Sequence, residues 1–201
     1  MNSMKTQILN RIEKFPSSGT FIASDFYDIA SYETIRKTLN RLTDEEIIQK
    51  IIPGFYYKPA YNELIGEHEA PDIHETAFAI SRKYNWTIAP SESAALNFLG
   101  LSTQVPSKWT YISDGRYASY DLGPITIEYK RTANKNISNM SLKTRTVIQA
   151  IRALGKNNIK GKDIEIIKKA LSKEDRIKLL EEGKASSVWI YEIIKLIAAV
   201  D

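Results

Sequence analysis

A serine-capped amphipathic segment, followed at once by a β-branched run and a Pro-Gly turn, constrains this chain more than any other feature. Ser31 leads into Tyr32-Glu33-Thr34-Ile35-Arg36-Lys37-Thr38-Leu39-Asn40-Arg41-Leu42. Serine suits an N-cap, because its hydroxyl can satisfy an orphan amide of the first helical turn. Ile35, Leu39 and Leu42 fall at i, i+4 and i+7, the spacing of one buried helical stripe. The stretch ahead of it, 23–30, is short and apolar-patterned and reads as a preceding helix with a tight turn. Behind it come the β-branched run 47–52, the turn dipeptide Pro53-Gly54, and the strand-like Phe55-Tyr56-Tyr57-Lys58-Pro59. Helix, turn, helix and hairpin in that order predict a winged helix-turn-helix, a unit that lays one helix in the DNA major groove.

The buried stripe leaves Tyr32, Glu33, Arg36, Lys37, Asn40 and Arg41 facing outward. Arginine and asparagine can contact guanine and adenine edges in bidentate fashion, while lysine and tyrosine suit phosphates. Lys50, Tyr57 and Lys58 sit on the hairpin, the expected wing. The DNA-binding set expected from sequence is therefore Tyr32, Arg36, Lys37, Asn40, Arg41, Lys50, Tyr57 and Lys58. The blander reading is a helical domain whose charged face is merely solvated. Cap, stripe and wing in register favour DNA.

With 201 residues the chain has room for one large domain or two small ones, each with a core. It has no cysteine, which excludes disulfides and thiolate metal sites. No apolar run is long enough to span a bilayer and residues 1–15 lack a signal-peptide layout, so a cytoplasmic location is the expectation. His68 and His74 are the only imidazoles, and they lie in an acidic stretch that reads as a solvated junction; neither a metal nor a cofactor is expected. Charge is unevenly placed. Residues 61–130 carry 5 basic and 9 acidic side chains, whereas residues 131–201 carry 15 and 8. A basic carboxy-terminal third suits an acidic partner, or equally a set of solvated lysine-rich helix faces.

The expected fold class is α+β. A first helix over about 3–14 and the winged unit occupy residues 1–60, a linker spans 61–71, and a mixed domain fills 72–201. Helices are predicted over 72–84 and 92–99, and short strands over 86–89, 109–113, 117–122 and 125–130. The strands read as a small antiparallel sheet, turning at Asp114-Gly115 and Gly123-Pro124. Carboxy-terminal helices follow from 141 onward, one of them opened by the capping-box-like Ser172-Lys173-Glu174-Asp175.

Several segments carry a family resemblance. Trp86-Thr87-Ile88-Ala89-Pro90-Ser91, the run from Ala94 to Pro106, Tyr111-Ile112-Ser113-Asp114-Gly115 and Ile127-Glu128-Tyr129-Lys130-Arg131 resemble the AbiEi-like antitoxins of type IV abortive-infection toxin–antitoxin systems. The wing, Pro53-Gly54-Phe55-Tyr56-Tyr57-Lys58-Pro59, is similar to that family's Gly-aromatic-Tyr ending. The resemblance runs from about Lys5 to about Ala198. It implies a bacterial, cytoplasmic, non-catalytic antitoxin in phage defence. Its winged domain would bind inverted repeats in double-stranded operator DNA, as a homodimer where the repeats require one, and repress its own operon. Its other domain would counter a nucleotidyltransferase-type toxin, with direct contact not assumed. One departure stands out: basic residues on the recognition helix are few, and Glu33 opposes phosphate.

Two alternatives come from the residues themselves. Asp121, Glu128 and Lys130 outline the Asp…Glu-x-Lys skeleton of restriction-endonuclease-like nucleases, with Glu92 as the best further carboxylate. Two carboxylates there would hold a divalent cation that activates water, and the lysine would assist the nucleophile. Glu-x-Lys is common by chance on strands, and the Gly123-Pro124 turn puts Asp121 on an antiparallel neighbour. The basic helices after Arg131 are a second alternative, as an RNA or tRNA surface, although no known RNA-binding module is legible.

Overall fold

The computed structural model describes residues 3–64, 66–133, 137 and 139–199. The chain divides into two compact units, residues 1–85 and 86–201. It is a mixed α and β protein, as expected, and among the described residues no helix is long and apolar enough to cross a membrane.

In the first unit, α1 (Met4–Ile12) starts at Ser3, whose hydroxyl accepts from the Thr6 amide. β1 (Thr20–Ile22) leads through a 3-10 turn, Ala23–Phe26, to α2 (Tyr32–Asp44), capped by Ser31. β2 (Gln49–Ile52) and β3 (Phe55–Tyr57) form a hairpin whose turn uses Pro53 and Gly54, the latter at φ +85°. Glycine carries that left-handed conformation without a Cβ penalty. The sheet order is β1-β3-β2, antiparallel throughout, with a bulge between Lys50 and Ile52. Ile8, Ile12, Phe21, Phe26, Ile35, Leu39, Leu42, Ile48 and Tyr56 make one core. The predicted stripe on α2 is thus what holds the helix down.

Two expectations for this unit need correction. The stretch 23–30 is not a helix but a single 3-10 turn. Its acidic residues bond locally instead: the Asp25 carboxylate accepts from the Ile22 amide at 2.9 Å. Arg11 of α1 then donates to the Asp25 carbonyl at 3.1 Å and to Asp28 at 2.7 Å. Asp and Ser compete for backbone partners in this way and so disfavour helix interiors. Nor is 61–71 a plain linker ahead of a second domain. β4 (Tyr61–Asn62) and β5 (Glu67–His68) pair within it, and α3 (Ile73–Tyr84) packs on β1 in the first unit. The buried hydroxyls of Thr20 and Thr76 meet at 2.8 Å, and Arg82 reaches the Thr20 carbonyl at 3.1 Å and the Asp25 carboxylate at 3.2 Å. The boundary therefore falls after Asn85, the left-handed cap of α3.

The second unit holds β6 (Ile88–Pro90), α4 (Glu92–Phe98), β7 (Lys108–Ser113), β8 (Ala118–Leu122) and β9 (Ile125–Arg131). The sheet order is β6-β7-β9-β8. Two of its three pairings are antiparallel, as expected, including the β8–β9 hairpin through Gly123. The central pair, β7 with β9, is parallel, with Trp109 opposite Ile127 and Tyr111 opposite Tyr129. Asp114-Gly115 does not fold β8 back on β7. The Asp114 carboxylate accepts from the Thr87 amide at 2.7 Å, and Gly115 lies so close to the Trp86 ring that a Cβ would stand 2.4 Å from it. This ties the end of β7 toward β6 and leaves its other edge for β9.

Helices α5 (Leu142–Leu154), α6 (Gly161–Lys169), α7 (Lys173–Glu182) and α8 (Val188–Ala198) complete the unit. Val147, Ile151, Ile167, Leu179, Ile190 and Ile194 are central to its core. The expected capping box is present: Ser172 and Asp175 exchange backbone-to-side-chain bonds at 3.0 and 3.1 Å.

Candidate nucleic-acid interface

Because Ile35, Leu39 and Leu42 are fully buried, the opposite face of α2 is presented to solvent. Tyr32, Arg36, Lys37, Asn40 and Arg41 all lie on it and are exposed. Lys50 is exposed on β2, beside this face. Tyr32, Arg36, Asn40 and Lys50 are brought together along one cleft of about 340 Å³, between α2, the β2–β3 turn and the end of α3. Lys37 and Arg41 stand on the same helix outside that cleft.

Tyr57 and Lys58 are placed otherwise. Tyr57 is only 7% exposed, and its hydroxyl donates to Gln49 Oε1 at 2.7 Å. It is a packing residue, because all three residues of β3 are buried and the strand has no solvent-facing side. Its neighbour Tyr56 borders the cleft instead, opposite Lys50 in the β2–β3 register. Lys58 is half-buried, ion-paired with Glu13, the residue that caps α1, and lines a separate pocket.

Contacts within the first unit order the polar groups of the cleft. Tyr56 donates to Asn40 Oδ1 at 3.2 Å, and the Lys50 ammonium lies 5.9 Å from the centre of the Tyr56 ring. Asn40 keeps its amide hydrogens and a second oxygen lone pair for an outside partner. Burial pushes the Tyr56 hydroxyl above its ordinary pKa, so it remains a neutral donor. Arg36 is bonded to Glu33 at 3.0 Å, which raises its pKa further and keeps it charged. Arg41 pairs with Glu45 at 3.2 Å, and Glu45 also takes Lys5 at 2.6 Å.

One lining residue was not legible in the sequence. Lys83, in the last turn of α3, is exposed and closes the far side of the cleft. Its ammonium lies 4.6 Å from the centre of the Phe55 ring, a cation–π distance. Among the described residues that line the cleft, none is acidic.

In the second unit, Asp121, Glu128 and Lys130 share one sheet face without forming a metal-holding group. Asp121 accepts from the Thr126 hydroxyl at 2.9 Å. Glu128, 7% exposed, accepts from the Tyr117 hydroxyl at 2.6 Å and from Lys108 at 3.3 Å. Lys130 reaches Glu92 at 3.0 Å and Glu128 only at 3.9 Å. The Tyr117 hydrogen bond, then the lysines, hold the Glu128 carboxyl below the usual carboxylate range against the opposing effect of burial. Among the described residues, no three His, Asp or Glu side chains lie as a group that could hold a metal ion. His68 packs edge-on to Tyr61 at 5.4 Å.

Residues 7–179 match the profile of DUF6088, a family of unknown function, and the chain belongs to that family. No curated protein matches the chain.

Proposed function

We propose that this chain is a DNA-binding regulator whose first unit is a winged helix-turn-helix with α2 as its recognition helix. Three features support the reading. The element order is helix, strand, helical turn, helix and hairpin, with sheet order β1-β3-β2. The outward face of α2 carries arginine, lysine and asparagine over a fully buried opposite face. The β2–β3 hairpin stands beside that face as the wing. The second of these carries the proposal, since base edges are read by such side chains on a projecting helix. Tyr32, Arg36, Lys37, Asn40, Arg41 and Lys50 are the reading and positioning residues.

The wider role we propose is that of an AbiEi-like antitoxin, acting in the cytoplasm without catalysis and repressing its own operon through inverted repeats in operator DNA. That part rests on the sequence resemblance. Homodimerisation on the repeats and a nucleotidyltransferase-type toxin as functional counterpart follow from it.

Replacing Arg36 and Arg41 together by alanine tests the first part. Binding to the DNA upstream of the gene weakens and its salt dependence becomes shallower. An unchanged affinity and slope would remove α2 as the reading element. Co-expression with a neighbouring nucleotidyltransferase-like gene product tests the second. Growth restored by this chain supports it, and continued toxicity with soluble protein present overturns it.

A further inference from the structure

Arg36 comes from α2, Lys50 from β2 and Lys83 from α3, so three elements each contribute one cation to the same cleft. No acidic side chain lines it among the described residues, and none pairs there with Lys50 or Lys83. Among the described residues, Arg36 alone of the three has a carboxylate partner, Glu33 at 3.0 Å, which stands outside the cleft lining. Cations gathered around a concave surface form an anion site. The site is also built. Lys83 is steadied over the Phe55 ring, and Phe55 is itself buried. Gly54 leaves its ammonium uncovered: a Cβ at that position would stand 3.4 Å from the Lys83 nitrogen.

From this arrangement we infer that Lys83, together with Arg36 and Lys50, seats one backbone phosphate of a DNA duplex beside the β2–β3 turn. The inference rests on the DNA-binding reading and adds to it a helix that lies outside the helix–hairpin unit. A lysine ammonium is a point charge without the fork that reads base edges, so it suits phosphate. Lys83 would therefore set the register of α2 on the duplex and the overall affinity. It would not set base preference.

The experiment is a salt titration of binding to a mixed-sequence DNA duplex, and to DNA from upstream of the gene, followed by fluorescence anisotropy. Wild type is compared with Lys83→Met, which keeps an unbranched apolar side chain at this position and loses the charge. The slope of log affinity against log salt becomes shallower by about one, and both duplexes lose affinity several-fold to the same degree. Lys83→Arg restores both. Lys83→Gln is the second variant, and thermal melts of each confirm that the fold is kept.

If Lys83→Met and Lys83→Gln leave the slope unchanged while the Arg36/Arg41 pair of substitutions weakens binding, Lys83 is no phosphate contact and the DNA-binding reading stands. If wild-type protein binds neither duplex, that reading fails and the inference falls with it. Loss confined to the upstream DNA would also overturn the inference, because it would mean base reading.

Discussion

Glu33 Oε2 lies 3.0 Å from Arg36 Nη2, one turn along α2. The carboxylate sits in the first turn, where it favours the helix dipole, and it occupies the guanidinium that the cleft offers to an anion. On the proposed DNA-binding reading, a duplex would displace this carboxylate and be repelled by it. Glu33→Gln is expected to tighten binding to any duplex by about two- to five-fold, the span of an exposed ion pair. Anisotropy titration checks this; unaltered or weaker binding would place Arg36 away from the nucleic acid.

The Tyr117–Glu128 contact makes a prediction about acid. With the Tyr117 bond as the leading cause, the folded carboxyl titrates below its ordinary 4.5. A carboxyl depressed in this way adds stability that is fully present above its unfolded pKa, and the gain is lost as pH falls through the folded value. Tyr117→Phe is expected to move the Glu128 titration upward, toward the ordinary value, and to leave less stability to lose on acidification. NMR titration of the side-chain carboxyl and melts across the acid range measure both. A titration that does not move would show that the lysines alone hold the charge.

The Thr20–Thr76 bond predicts where the first unit can be cut. Both residues are completely buried, and Thr76 belongs to α3. A fragment of residues 1–60 is expected to melt well below one of residues 1–85, since it lacks the helix that covers β1. Within the full chain, Thr76→Val leaves the Thr20 hydroxyl without its partner and is expected to cost about 1–3 kcal/mol. Urea unfolding followed by circular dichroism gives the figure; equal stability of the two fragments would contradict the packing described.

Local chemistry was legible. Ser31, the Ile35-Leu39-Leu42 stripe, the Pro53-Gly54 and Gly123 turns and the Ser172–Asp175 box all act within a few residues, so their spacing carries the information. What escaped depends on distant partners. Residues 23–30 have the apolar pattern of a helix, but Arg11 claims Asp25 and Asp28. β7 pairs in parallel with β9 while Asp114 and Gly115 lie against Thr87 and Trp86, an arrangement no hairpin rule anticipates. Four of the eight expected interface residues line the cleft: Tyr32, Arg36, Asn40 and Lys50. Tyr57 is buried rather than outward-facing, because β3 is buried along its whole length and alternation has no meaning there. Lys83 escaped because only the docking of α3 on β1 brings it to the hairpin.

The side-by-side alignment of β7 with β9 has a consequence for biosynthesis. Parallel neighbours cannot be joined by a tight turn, so β7 keeps one bare edge until the chain has passed through β8 and reached Arg131. During that interval a nascent molecule displays Trp109 and Tyr111 on an open ladder, the kind of surface that recruits a stray strand from another chain. Emergence of residues 114–131 from the ribosome is thus an interval in which this edge lacks its partner, and β9 closes it.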